Sequence, residues 1–283
     1  MFTMSWKYVH VMMKKILLTV AVLFGCGAVM AQNIIKLGVE AGYDHSWLKE
    51  TRYTDRRADG VSQKCGMNGF HIGPTVRYDF SDGRLFPSVT AGLTYQFLAS
   101  SYPLGMEKGE YRDYVDNSVK TLKAAGGTKC KVRNVLYSHS LQIPVNARYT
   151  YRPNDNLDVF VFTGPMLNFF VARYSKNRAT CNYNGKRTGE LEYTNMIANE
   201  ILLTSWVDGE KTVTDNTDPD SGRPTDIFNM YWNFGAGVNF MEHFSASVSF
   251  DACLTNQANV TKLDNLCYDQ RDKCLKFSFG YTF

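Results

Sequence analysis

Ten residues at the C-terminal end, Cys274-Leu-Lys-Phe-Ser-Phe-Gly-Tyr-Thr-Phe283, constrain the fold more than any other stretch. Leu275, Phe277, Phe279, Tyr281 and Phe283 share one parity, while Cys274, Lys276, Ser278, Gly280 and Thr282 share the other. This is the period of a β-strand whose two faces meet different surroundings. One face is aromatic and apolar. The other is small or polar and carries a lysine, which a dry soluble interior would not accept. A strand that closes a barrel in a membrane needs this combination, with its apolar side on lipid and its polar side on a lumen.

The same alternation recurs in seven further segments: 35–44, 70–80, 88–97, 141–151, 157–174, 228–240 and 244–253. In the first, Ile35, Leu37, Val39, Ala41 and Tyr43 oppose Lys36, Gly38, Glu40, Gly42 and Asp44. The fifth is irregular, because Phe160, Phe162 and Phe170 share the parity of Asp158, Gly164 and Asn168, so a bulge or register change is expected there. Tight turns at 81–84, 152–156 and 241–243 alternate with long polar segments at about 48–67, 99–133, 175–226 and 255–273. The expected fold is therefore all-β: an eight-stranded antiparallel up-and-down transmembrane β-barrel with short periplasmic turns and long extracellular loops. Within the long segments, a short helix is expected over Tyr114–Ala125, stopped by Gly126-Gly127, and a hairpin over Ser205–Val213 around Asp208-Gly209. The hairpin would also fit strands five and six continuing past the membrane. A soluble lipocalin-like barrel, with its apolar face inward, is the main alternative. The Gly-, Ser- and Asn-rich polar face and the aromatics near strand ends weigh against it.

At the other end, Lys14-Lys15, the apolar run Ile16–Phe24 and Ala28–Ala31 read as a signal peptide over residues 1–31, with 32–283 the barrel domain. Met13, immediately before the lysines, would make a more ordinary start than Met1, and Leu23–Cys26 only loosely fits a lipoprotein signal. The whole chain carries a net charge of +4, and loss of Lys7, Lys14 and Lys15 with the leader would leave +1. So even a balance argues against a nucleic-acid partner. No later stretch has the apolar length of a membrane helix.

The inward parity gathers Lys36, Glu40, Asp44, Arg77, Asp79, Arg148, Asp251 and Lys276 in one narrow lumen. An eight-stranded interior is just wide enough for side chains to fill it, so these groups are expected to pair into a rigid polar plug rather than line an ion path. With the last strand antiparallel to Ile35–Tyr43, Lys276 would find candidate partners in Glu40 and Asp44. His45, His71 and His139, with Ser138 and Ser140 near, fall toward the outer strand ends, but no nucleophile, base and acid stand at a telling spacing. No metal-ligand spacing or nucleotide fingerprint is present, and no cofactor is expected. Six cysteines follow the leader: Cys65, Cys130, Cys181, Cys253, Cys267 and Cys274. An even set in an oxidising compartment suggests disulfides, with Cys253 and Cys274 the best-placed pair and the remaining connectivity open.

Leu141-Gln-Ile-Pro-Val145, a short turn, then Val161-Phe-Thr-Gly-Pro165 resembles the L-x-I-P and G-P strands of the PorT-like family of outer-membrane β-barrel proteins. The terminal Phe283 also resembles that of outer-membrane barrels, whose last aromatic residue is read by the barrel-assembly machinery. The resemblance implies residence in the outer membrane of a Gram-negative bacterium, among outer-membrane lipids, and transfers no catalytic residue. The expected role is a non-enzymatic scaffold whose long loops serve adhesion, partner binding or envelope and secretion assembly. A lipid- or peptide-modifying barrel enzyme and a narrow pore are the alternatives.

Overall fold

A computed structural model describes residues 35–54, 57–81, 83–100, 108–195, 200–207, 210–215, 226–257 and 266–283. The expected leader and cleavage site lie outside them. Twelve strands and one helix follow in the order β1 (Ile35–Thr54), β2 (Arg57–Asp79), β3 (Leu85–Gly92), β4 (Thr94–Ser100), α1 (Lys108–Ala124), β5 (Thr128–Asn154), β6 (Leu157–Tyr183), β7 (Lys186–Asn195), β8 (Glu200–Val207), β9 (Glu210–Asp215), β10 (Phe228–Phe240), β11 (Phe244–Cys253) and β12 (Leu266–Thr282).

All pairings are antiparallel, and they form a ring. β1 pairs with β2; β2 pairs with both β3 and β4; both of these pair with β5; the ladder then runs through β6, β10, β11 and β12 and returns to β1. β3 and β4 occupy a single place in it. Their register against β2 is unbroken, with Ile72 on Tyr95 and Thr75 on Gly92, and Leu93 alone falls out of the strand. Proline explains the gap. Pro74 stands opposite Leu93 and Pro144 opposite Gly92, so the strands on both sides lack a ladder donor at one level. The Leu93 N–H still reaches Pro74 O at 3.1 Å.

Eight alternating segments are expected and twelve strands are found among the described residues, because much of the long polar sequence is also strand. β1 and β2 pair out to Thr54 and Arg57, β12 starts at Leu266, and β5 and β6 pair from Thr128 and Asn182 downward. Beyond the ring, β7, β8 and β9 hang from the upper part of β6 as successive hairpins. The expected hairpin appears as β8–β9, with Val207 paired to Glu210, but it is a separate element and not an extension of β6 and β10. α1 starts earlier than expected, at Lys108, and ends where Gly126 takes φ 91°.

The expected irregularity does fall within the fifth segment, but at Val171 and not at Phe160 and Phe162. β6 runs against β10 without a shift from Phe169 to Leu157, so Phe160 and Phe162 do point inward. Two glycines make the room: a Cβ on Gly235 would come within 2.5 Å of Phe162 Cζ, and one on Gly237 within 2.5 Å of Phe160 Cζ. The shift falls against β5, where His139 pairs with Ala172 and Ser140 with Phe170, leaving Val171 over. That bulge reverses the parity above it, so that Phe170 and Arg173 are both buried.

Candidate functional site

The two faces of the ring are inverted relative to a soluble protein. Ile35, Val39, Phe70, Ile72, Val161, Phe234, Phe277 and Phe279 are exposed on the outside, Phe279 to 70%. Inside, Asp44, His71, Arg77, Asp79, Arg148, Asp251 and Lys276 are buried. Apolar groups left facing water would forgo the main stabilising term of folding, so this outer face belongs in lipid and the lipocalin-like alternative falls.

All eight lumenal residues named from the sequence face this interior, and they form two groups. Toward the short turns, Lys36 Nζ lies 3.4 Å from Asp79 Oδ2 and Arg77 Nε 3.0 Å from Asp79 Oδ1. The Arg148 guanidinium sits 3.5 Å above the Phe160 ring, with its Nε donating to Thr150 Oγ1 at 3.2 Å. Arg152 Nε donates to Asp158 Oδ1 at 2.8 Å, and Asn239 Nδ2 donates to Asp158 Oδ2 at 3.1 Å.

Halfway along, one continuous chain of hydrogen bonds crosses the lumen. Asp44 Oδ1 meets His71 Nδ1 at 2.5 Å, and Asp44 Oδ2 accepts from Gln96 Nε2 at 2.7 Å. Gln96 Oε1 accepts from Gln142 Nε2 at 2.9 Å, and Gln142 Oε1 accepts from Lys276 Nζ at 2.6 Å. Lys276 Nζ lies 2.7 Å from Asp251 Oδ2, whose other oxygen accepts from Asn233. The seam forms as expected, with Asp44 registered opposite Lys276. The ion partner of Lys276 is nevertheless Asp251, on the other neighbouring strand, while Asp44 turns to His71 and Gln96. Glu40 is more open, 3.5 Å from His71 Nε2.

A third layer closes the end away from the short turns. Leu48, Cys65, Met67, Leu98 and Leu136 form a buried apolar cluster on the adjacent strands β1, β2, β4 and β5. Beside it, Arg173 Nη1 donates to Gln257 Oε1 at 3.3 Å, and Gln257 Nε2 donates to Asp272 Oδ1 and to Tyr231 Oη, each at 2.6 Å. Arg173, Tyr231, Gln257 and Asp272 were not singled out from the sequence; Arg173 was hidden by the parity reversal at Val171. Between this layer and the short turns lies a cavity of about 120 Å³, lined among others by Glu40, His71, Arg148, Phe162 and Ser278.

The three histidines separate. His45 faces outward against Asn68 and Trp47, and His139 faces outward with Tyr95 Oη 2.6 Å from its Nδ1, while Ser138 and Ser140 face in. Only His71 is lumenal. Its Nε2 lies 3.0 Å from Ser278 Oγ, so Ser278, His71 and Asp44 stand in line. The sequence did not reveal this trio because its members come from three strands.

The expected Cys253–Cys274 bond is not formed: both thiols are free, as are those of Cys130 and Cys181. Register explains it, since Asp251 is the residue opposite Cys274. Phe283 donates its N–H to Leu37 O at 2.8 Å at the base of the seam.

The family described as outer membrane protein beta-barrel domain matches residues 114–259. No curated protein matches the chain. Similar solved structures include Ail, the attachment invasion locus protein of Yersinia pestis, in complex with the heparin analogue sucrose octasulfate, at 11% identity over 87% of this chain and 99% of that one, TM-score 0.27. The outer membrane protease OmpT from Escherichia coli is similar at 11% identity over 89% and 97%, TM-score 0.36. The outer membrane enzyme PagL is similar at 14% identity over 85% and 98%, TM-score 0.31.

Proposed function

Since the chain belongs to the outer membrane protein β-barrel family and resides in the outer membrane, we propose that it is a non-enzymatic scaffold of the PorT-like type, presenting its upper hairpins to a partner outside the cell. The observation that carries this reading is a lumen crossed by a continuous side-chain network, with a cavity of about 120 Å³ on its short-turn side. Paired charges cross the middle, and toward the far end the Leu48, Met67, Leu98 and Leu136 cluster lies beside the hydrogen-bonded Arg173, Gln257, Tyr231 and Asp272, which supports a plug over a pore. The eight-stranded ring then acts as a membrane anchor spanning the bilayer, with the short turns in the periplasm and the assembly machinery engaging Phe283. What distinguishes this chain from a bare anchor is the material beyond the ring: α1, the upper halves of β5 and β6, and the β7–β9 hairpins. Adhesion, partner binding and envelope or secretion assembly are the roles such a surface serves.

The test is photocrosslinking in intact cells from Thr212 in β9, whose side chain is exposed. A discrete crosslinked envelope or surface partner supports the scaffold. Single-channel steps from the pure protein in planar bilayers would refute the plugged lumen.

A second reading is carried by the Ser278–His71–Asp44 alignment, which has the hydrogen-bond order of a nucleophile, base and orienting acid. It would make the lumen a hydrolase site. Against it, Ser278 lies mid-strand between Gly42 and Ser247, so its backbone N–H is engaged in the sheet and does not help to build an oxyanion hole. Labelling by a fluorophosphonate probe that disappears in Ser278→Ala would establish the enzyme; absence of labelling leaves the scaffold.

A further inference from the structure

Beyond the ring, the upper ends of β5 and β6 are joined irregularly. Lys131 pairs with Thr180 and Thr128 with Asn182, so Lys129 and Cys130 together face the single residue Cys181. Lys129 adopts φ 52°, the left-handed conformation that lets a strand carry an extra residue. Such a bulge re-aims the next side chain, and here it brings Cys130 beside Cys181, both within reach of one point above Gly127. Gly127 leaves space for them: a Cβ there would lie 2.9 Å from Cys130 Sγ and 3.1 Å from Cys181 Cβ. The same glycine ends α1, its N–H bonded to Leu122 O at 3.0 Å.

We propose that Cys130 and Cys181 are a disulfide site, closed before or during assembly and bracing α1 and the β6–β7 hairpin against each other. Outer-membrane proteins cross an oxidising compartment on their way to the membrane, which is where thiols at this spacing become bonds. The chemistry is thiol–disulfide exchange with an oxidised disulfide-carrier protein. One thiolate attacks the carrier disulfide and releases a carrier thiol; the second displaces the other carrier sulfur. The two cysteines lose two electrons and two protons, and the carrier leaves as a dithiol. Cys65, Cys253 and Cys274 do not compete, since each is buried in the barrel, its sulfur donating to Ser100 Oγ, Thr255 O and Leu275 O respectively. The proposal does not depend on what the hairpins bind.

Outer membranes from cells quenched in acid would be alkylated with N-ethylmaleimide, reduced, alkylated with isotopically heavy iodoacetamide and digested. Cys130 and Cys181 should carry the second label, and a digest without reduction should contain one peptide pair joined through them. Cys130→Ser should shift Cys181 to the first label. First label on both cysteines in the wild-type protein, or a bond from Cys130 to Cys267, overturns the proposal; the wild-type measurement decides even where the variant fails to assemble.

Discussion

Replacing Lys276 by Met should be among the most damaging single changes in the barrel. Met fills nearly the same volume, so packing alone would cost little. What is lost is charge. Lys276 Nζ lies 2.7 Å from Asp251 Oδ2, a separation worth about 6 kcal/mol of gross attraction at an effective dielectric of about 20. Both Asp251 and Asp44 are 0% exposed, so neither can turn to water when the ammonium goes. Gln142 Oε1 loses its donor as well. Breaking one side of a buried pair costs about 3–5 kcal/mol, most of it the burden of the stranded ion. Removing that ion too should return most of the loss, so Lys276→Met with Asp251→Asn should lie within about 1–2 kcal/mol of wild type. The assay is urea unfolding of the barrel folded into phospholipid vesicles, followed by the fluorescence of Trp232 on the lipid face and by heat-modifiable gel migration. A single variant within about 1 kcal/mol of wild type, or strictly additive losses in the double variant, would refute the claim that the plug is held by this pair.

Three further outcomes follow from other parts of the chain. Phe279→Arg puts a charge on an outer position that is 70% exposed and should cost about 2–4 kcal/mol if that surface meets lipid near mid-bilayer; an unchanged unfolding midpoint in vesicles would contradict the face assignment. Asn184→Val places a β-branched residue at φ 47° beside Gly185 at φ 80° and should cost about 1–2 kcal/mol locally. Limited proteolysis should then cut the β6–β7 hairpin faster while the ring stays protected, and equal cutting of both would count against it. In reduced protein, burial and the neighbouring Cys181 hold the Cys130 thiol above its ordinary range. Its neutral form favours the folded state below the ordinary thiol pKa, and this advantage is lost as pH rises through the raised value. Maleimide labelling of Cys130 should therefore accelerate only at pH values above those that suffice for a free cysteine, and a normal labelling profile would refute this.

The faces of the ring were legible because two solvents act on alternate residues, and a period of two survives in sequence whatever the partners are. Leu275–Phe283 and Phe228–Phe240 show it most cleanly. Above the membrane both faces meet polar surroundings, the alternation fades, and strands such as Lys186–Asn195 read as loop. One signal there was available: Asn184-Gly185 is a strong two-residue hairpin dipeptide and sits at the β6–β7 turn. The break at Leu93 was recoverable only by registering Pro74 and Pro144 against one strand, which requires knowing the neighbours. For the same reason the lumenal residues were identifiable individually, but their partners were not. Lys276 sits opposite Asp44 along one seam and pairs with Asp251 across the other.

β6 shows why an apparent violation of the pattern was informative. Phe160 and Phe162 occupy lumenal positions, where a polar residue is the rule, and a register slip was the natural inference. At these two rings the register against β10 is intact because the adjacent strand compensates: Gly235 and Gly237 remove the side chains that would collide with them. The rings in turn supply a surface for Arg148, whose guanidinium stacks 3.5 Å above Phe160. An arginine held on an aromatic face needs fewer carboxylates to be accommodated in a closed interior. The short-turn half of the lumen thus holds Arg77 and Arg148 with Asp79 and Asp158 near them, and the misfit aromatics are part of what makes that arrangement stable. Misplaced aromatics in a barrel strand are therefore best read together with the glycines of the next strand before a bulge is invoked.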